Sequence, residues 1–247
     1  MADRMQYFKR LPLKQSANTR DLGGYCTEDG YSTNWHVFLR STPLSDLDDD
    51  DRMMLRDVGL KMVIDLRSDL ELERQPTDLT SMPEVSYMHC PLFVNQEITK
   101  GKLRVVDFKK LYVMIAEESQ TQIARVFQLL ADCGGACLFN CTAGKDRTGI
   151  IAALILSSMK VYHDDIVAEY QVSQTYIRKV FARIDEIASD VFKQISNSDV
   201  ENIEYFLQHL TNKYGGTAEY LKNIGVTDSQ IAAIRRKFLT KISADIC

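Results

Sequence analysis

The chain has 247 residues, 45% of them apolar and 26% charged, a balance that suits one buried α/β core and excludes a disordered chain. A net charge of −4 excludes a broad basic field for nucleic acid or an anionic membrane surface, so any attraction for anions must come from a local cluster of Lys and Arg. The opening residues M-A-D-R-M-Q-Y-F-K-R hold no apolar signal-peptide core, and the longest apolar run, Ile150 to Leu156, is far short of a membrane span. Six cysteines are too few for a disulfide scaffold, so a cytoplasmic protein with reduced thiols and no stable membrane association is expected.

Trp35 to Leu39 reads as a short strand. Asp49 to Val58 reads as a helix, because the acidic run Asp48–Asp51 suits the positive helix N-terminus. Lys61 to Leu66 is an apolar run bounded by Gly59 and Arg67, hence a buried strand, and Val85 to His89 is another, stopped by Pro91. Val105 to Glu117 and Thr121 to Ala131 read as helices. Ala136 to Asn140 is a short buried strand after the Gly134-Gly135 turn, and 147–160 is an apolar helix. The rest is almost all helical, its last helix opened by the capping box Thr227-x-x-Gln230. No repeat, low-complexity stretch or Pro-rich linker divides the chain. The expected fold is α/β: one domain over 1–247, with a mainly parallel central sheet covered on both faces by helices within about 1–160 and a helical layer over about 161–247.

The chemistry concentrates in L-F-N-C-T-A-G-K-D-R-T-G, residues 138–149, where a buried strand runs through a tight loop into a helix. This geometry binds oxyanions: loop and first-turn N–H groups converge, and the helix dipole adds about half a positive charge. Gly144 lets the backbone close around a small anion, and Thr142, Ala143, Lys145 and Thr148 complete the cradle. Cys141 stands at its base, where the same dipoles stabilise a thiolate able to attack phosphorus. Arg147, at the start of the helix, offers a fork for two phosphoryl oxygens, and the Thr148 hydroxyl can donate to the cysteine sulfur.

This Cys-x5-Arg-Thr-Gly loop resembles the signature of protein tyrosine phosphatases. The fuller C-x-x-G-K-D-R-T-G is similar to a bacterial protein tyrosine/serine phosphatase branch that acts on phosphotyrosine, phosphoserine/threonine and phosphoinositides. The blocks N-T-R-D-L-G-G (18–24), L-R-S (39–41), V-I-D-L-R-S (63–68) and Y-G-G-T-A-E-Y-L (214–221) resemble that family in the same order, so the likeness spans most of 16–240. It implies a phosphocysteine mechanism with a phosphorylated protein or phosphoinositide as partner, and neither metal nor cofactor. Many tyrosine phosphatases take their general acid from a Trp-Pro-Asp loop, but the one tryptophan, Trp35, is followed by His36. The branch it resembles places an aspartate inside the loop instead, which maps to Asp146 as acid; the alternative is a helix N-terminal Asp that only caps N–H groups. Lys145 is either a second cation for an additional phosphate or a solvated lysine. Arg20, Asp21, Asp65 and Arg67 either orient the loop or meet substrate, or form a structural ion-pair network. One departure stands beside the nucleophile, where Asn140 replaces the family's usual His and cannot carry charge.

Other readings of the same residues are weaker. Gly144-Lys145 is no nucleotide-binding loop, since Phe139 and Asp146 stand where that motif needs Gly and Ser/Thr. Cys137 and Cys141 are separated along a strand by roughly 13 Å, too far for one metal ion or a disulfide. The four histidines show no ligand spacing. The partly basic stretch 93–119 is either a lid over the site or an ordinary surface helix with its loop. Oligomeric state is not legible. Beside a phosphatase stand a phospho-binding pseudoenzyme, because of Asn140, and a sulfurtransferase, against which Thr148 and the flanking blocks argue.

Overall fold

A computed structural model describes residues 7–93, 107–182 and 199–242. Along the chain come β1 (Arg20–Asp21), β2 (Tyr31–Thr33), β3 (Phe38–Ser41), α1 (Asp49–Asp57), β4 (Leu60–Asp65), α2 (Asp69–Arg74) and β5 (Ser86–His89). Then follow α3 (Phe108–Glu118), α4 (Gln120–Asp132), β6 (Ala136–Asn140), α5 (Asp146–Ser158), α6 (His163–Ala182), α7 (Val200–Tyr214), α8 (Thr217–Asn223), α9 (Asp228–Phe238) and β7 (Leu239–Lys241).

The main sheet has five strands in the order β1-β3-β6-β4-β5. β3, β6, β4 and β5 run parallel, and β1 adds an antiparallel edge. Its inner strands are continuous apolar runs because both faces are covered. Leu39, Val63 and Leu138 face one core with Leu44 and Leu47 of the preceding loop and Leu55 of α1. Phe38, Ile64 and Phe139 face the other, built with side chains of α3 through α9. The expected mainly parallel α/β sheet between helices is therefore present, with the C-terminal helices packed on one face.

Three local expectations differ from the structure. The strand expected from Trp35 begins only at Phe38, because His36 takes a left-handed conformation (φ 59°) and its N–H donates to Asp21 Oδ2 at 2.8 Å. The C-terminal third is not wholly helical: β7 pairs antiparallel with β2, a partner over two hundred residues away that no local pattern announces. Helix α2 was not expected, although Ser68-x-x-Glu71 spells its capping box. The start of the helix expected from Val105 lies outside the described residues, as does most of the 93–119 stretch up to residue 106. No described helix is long and apolar enough to cross a membrane.

β6 lies in the middle of the sheet and ends at Asn140, while α5 starts at Asp146. The loop between them thus opens at the carboxyl edge of the parallel strands, where open α/β sheets form their crevices. Because Leu138 is fully buried in the middle strand, Leu138→Ala should cost about 2–5 kcal/mol in urea unfolding.

Candidate active site

The loop 141–145 owes its shape to what holds its carbonyls. Gly144 is left-handed (φ 61°), and a Cβ there would lie 2.4 Å from the Ser41 carbonyl oxygen, so glycine alone fits. Asn18 Nδ2 donates to the carbonyls of Ala143 (3.0 Å) and Gly144 (2.9 Å). Arg40 Nη2 donates to those of Gly144 (2.7 Å) and Lys145 (3.3 Å). A trans peptide unit points its C=O and N–H in opposite directions. With the carbonyls of 143–145 drawn toward Asn18 and Arg40, the N–H groups of 144–146 face the other way, into the loop.

The two anchors are themselves fixed by a buried ion cluster. Glu169 of α6 pairs with Arg20 Nε (2.5 Å) and Arg40 Nη1 (2.5 Å), and Arg20 also donates to the Asn18 side chain and to Ser173 Oγ (2.8 Å). Burial alone would raise the Glu169 carboxyl, but the two guanidinium groups outweigh it and hold it below the usual carboxylate range. Burial, with the Arg40 charge beside it, lowers Arg20 to about 10.

Cys141 is buried at the end of β6. Arg147 makes a bidentate pair with Glu71 of α2, Nη2 to Oε1 at 2.6 Å and Nη1 to Oε2 at 2.8 Å, and Nη1 also donates to the Leu66 carbonyl at 3.3 Å. Burial opposes the charge on both partners. On Glu71 the Arg147 bonds prevail and hold the carboxyl far below its ordinary value. On Arg147, the Glu71 bonds prevail and keep the guanidinium protonated. Glu71 also accepts from the Thr142 hydroxyl and from Ser68 N–H (2.9 Å), so one carboxylate caps α2 and orients the loop arginine. Thr148 is buried, and its hydroxyl has no partner among the described residues. The same holds for the amide oxygen of Asn140, which pairs with Asp65 in the β4–β6 register.

Asp146, the first residue of α5, accepts from Tyr112 Oη on Oδ1 at 2.5 Å. Lys145 Nζ lies 3.3 Å from the same oxygen and 4.6 Å from the centroid of the Phe108 ring. Lys145 is fully buried, so it is not a solvated lysine, and the Phe108 ring of α3 lies against its ammonium. Part of the 107–119 segment therefore does reach the loop.

The side-chain hydrogen bonds of the four residues from the flanking blocks go to groups outside residues 141–148. Asp21 accepts from the N–H groups of Gly23 (2.7 Å) and His36 (2.8 Å) and shapes the β1–β3 connection. Asp65 and Arg67 form a buried fork (2.6 Å between Oδ2 and Nη2), with Arg67 also bonded to Thr77 and the Gln75 carbonyl. Burial would raise the Asp65 carboxyl, but Arg67 holds it low. Arg20 acts on the loop only through Asn18 and Glu169. Residues missed by sequence reading are Asn18 and Arg40 as loop anchors, Glu169, Glu71 and Tyr112. Glu71 alone had a local signal, in its capping box.

The loop thus runs from a strand-end cysteine to a helix-start arginine. The model of the tyrosine phosphatase family matches residues 11–240, and the chain belongs to that family. It is 33% identical over 214 residues to a tyrosine-protein phosphatase of Nostoc commune, covering 81% of this chain and 73% of that protein. It is 28% identical over 245 residues to the triple specificity protein phosphatase PtpB of Mycobacterium tuberculosis, covering 80% of this chain and 88% of that one.

Removing the shared carboxylate tests the ion cluster. Glu169→Gln leaves two buried arginines facing each other and should cost about 3–5 kcal/mol in chemical denaturation. Acid should act in the same direction. Glu169, Asp65 and Glu71 all have folded values below their unfolded ones. Between those values the unfolded chain binds more protons, so their contribution is complete above about pH 4.5 and is lost as pH falls through the folded values. Thermal midpoints recorded from pH 7 to pH 3 should fall most steeply below that point, and less steeply in Glu169→Gln.

Proposed function

We propose that the protein hydrolyses phosphate monoesters through a phosphocysteine, with Cys141 as nucleophile, Arg147 as phosphate clamp and Asp146 as acid and base. The observation that carries this reading is the outward tethering of the 143–145 carbonyls, which leaves inward N–H groups around a buried cysteine beside a fixed arginine. Such donors bind phosphoryl oxygens and are aimed before the reaction begins, so charge growing on them in the transition state meets dipoles that need not reorganise.

Substrate phosphate seats in 141–148, and the Cys141 thiolate attacks phosphorus. Arg147, oriented by Glu71, follows the equatorial oxygens, and Asp146 protonates the leaving oxygen. The Thr148 hydroxyl, buried and without a partner among the described residues, donates to the sulfur as it is expelled in the second step. Phosphotyrosine is the favoured substrate, with phosphoserine, phosphothreonine and phosphoinositides behind it. The names of both relatives support a phosphoprotein. The burial of Lys145 beneath Phe108 argues against a ready site for a second phosphate.

A catalytically weak phospho-binding protein is the second reading. It is favoured by Asn140, whose amide oxygen is buried without a partner among the described residues at the place of an ionisable histidine. Turnover of p-nitrophenyl phosphate separates the two. Hydrolysis lost by at least about a thousandfold in Cys141→Ser supports the phosphatase. Absence of turnover in the unmodified protein, with inorganic phosphate still bound in calorimetry, supports the second. A panel of phosphotyrosine, phosphoserine and phosphoinositide substrates should give the highest kcat/KM for phosphotyrosine.

A further inference from the structure

Behind Asp146 lies a directed chain of hydrogen bonds. Tyr112 Oη is 2.5 Å from Asp146 Oδ1 and 2.6 Å from Tyr170 Oη, and the Asn202 side chain hydrogen-bonds Tyr170. All three supporting side chains are buried. They come from α3, α6 and α7, so the chain exists only in the folded core. A phenol carries one proton, and an ionised carboxylate carries none. Tyr112 must therefore donate to Oδ1 and accept from Tyr170, whose own oxygen is left to accept from the Asn202 amide. Burial, reinforced by the Asp146 charge, holds both phenols above their ordinary range, so neither ionises near neutral pH.

This arrangement distinguishes the two carboxylate oxygens. Oδ1 faces a donor on each side, the Tyr112 hydroxyl and the Lys145 ammonium 3.3 Å away. A proton added to Oδ1 would collide with both, so the acidic form carries its proton on Oδ2. The geometry points to Tyr112, backed by Tyr170, as the positioning residue that reserves Oδ1 of Asp146 as an acceptor and leaves Oδ2 to exchange protons with substrate. This rests on the acid role of Asp146 proposed above.

The Cys141 sulfur forms a bond to phosphorus while the ester P–O bond breaks, its electron pair staying on the leaving oxygen. The Oδ2 proton passes to that oxygen and Asp146 becomes a carboxylate. Water then attacks the phosphocysteine, returns a proton to Oδ2, and the S–P bond breaks to restore the thiolate. Tyr112 keeps its proton throughout, so the same rotamer of Asp146 serves both halves of the cycle.

Among the described residues, the charged and titratable groups that interact with Asp146 are Lys145 and Arg147 on the loop side, Tyr112 from α3 and Tyr170 from α6. Of these, Tyr112→Phe removes one hydroxyl and keeps the ring. In the full-length protein it should lower kcat for phenyl phosphate, a poor leaving group, by about ten- to a hundredfold, with KM changed less than about twofold. The loss should be much smaller for p-nitrophenyl phosphate, whose leaving group needs little protonation. The high-pH limb of the phenyl phosphate profile should move to higher pH, because a hydrogen bond to the charged carboxylate has been removed. Tyr170→Phe should show the same pattern, weakened. Equal loss on both substrates with an unmoved pH limb would mean a packing role only and would overturn the proposal. So would leaving-group dependence in Asp146→Asn but in neither tyrosine variant. If Asp146→Asn itself shows none, the acid assignment fails, and if Cys141→Ser keeps turnover, the phosphatase reading fails; each result is separate from failure of Tyr112.

Discussion

A peptide unit cannot point its carbonyl and its N–H the same way, and the site depends on that constraint. A short loop between a strand and a helix would ordinarily turn some carbonyls inward, where they would repel an anion. Here Asn18 and Arg40 draw the carbonyls of residues 143–145 outward, and the N–H groups are left facing in. The anchors are held because Arg20 and Arg40 share the one buried carboxylate of Glu169. Such a cluster is a poor way to gain stability, since each ion gives up its hydration to enter the core. Its value at this position is geometric, because it sets backbone directions at a loop that has no regular secondary structure of its own.

The same economy of parts recurs on the other side of the loop. Glu71 closes the first turn of α2 through Ser68 and grips the Arg147 guanidinium with both oxygens. Arg147 is thereby kept charged and held in place before any phosphate arrives. The position of α2 and the direction of the arginine are one structural variable, which links the β4–α2 turn to the proposed chemistry although none of its side chains reaches the base of the loop.

Asp146 is held from a third direction. Its hydrogen bond to Tyr112 passes through Tyr170 to α7, so the C-terminal helices reach the loop as well as covering the sheet. The burial of Lys145 beneath Phe108 belongs to the same face. Together these contacts make α3 a wall of the site, with one aromatic covering a cation and another orienting a carboxylate.

The strand–loop–helix at 136–158, the family it belongs to and the alternation that gives a mainly parallel sheet were legible in the sequence, because each is written in neighbouring residues. Apolar runs form buried strands, an acidic run opens α1, and Cys-x5-Arg at a strand end implies an anion cradle. The pairing of β2 with β7 was not legible, nor was the left-handed turn at His36, nor the burial of Lys145. Arg20, Asp21, Asp65 and Arg67 were singled out by their blocks, but whether they met substrate or one another depended on which groups the fold carried beside them. Arg20 and Glu169, or Tyr112 and Asp146, are far apart in the chain and meet only through packing. The sequence by itself thus determined which residues stand in the loop and what kind of chemistry they suit. Only the tertiary structure decided which way the loop faces and which oxygen of Asp146 is left open, because both follow from hydrogen bonds between segments that no local pattern connects.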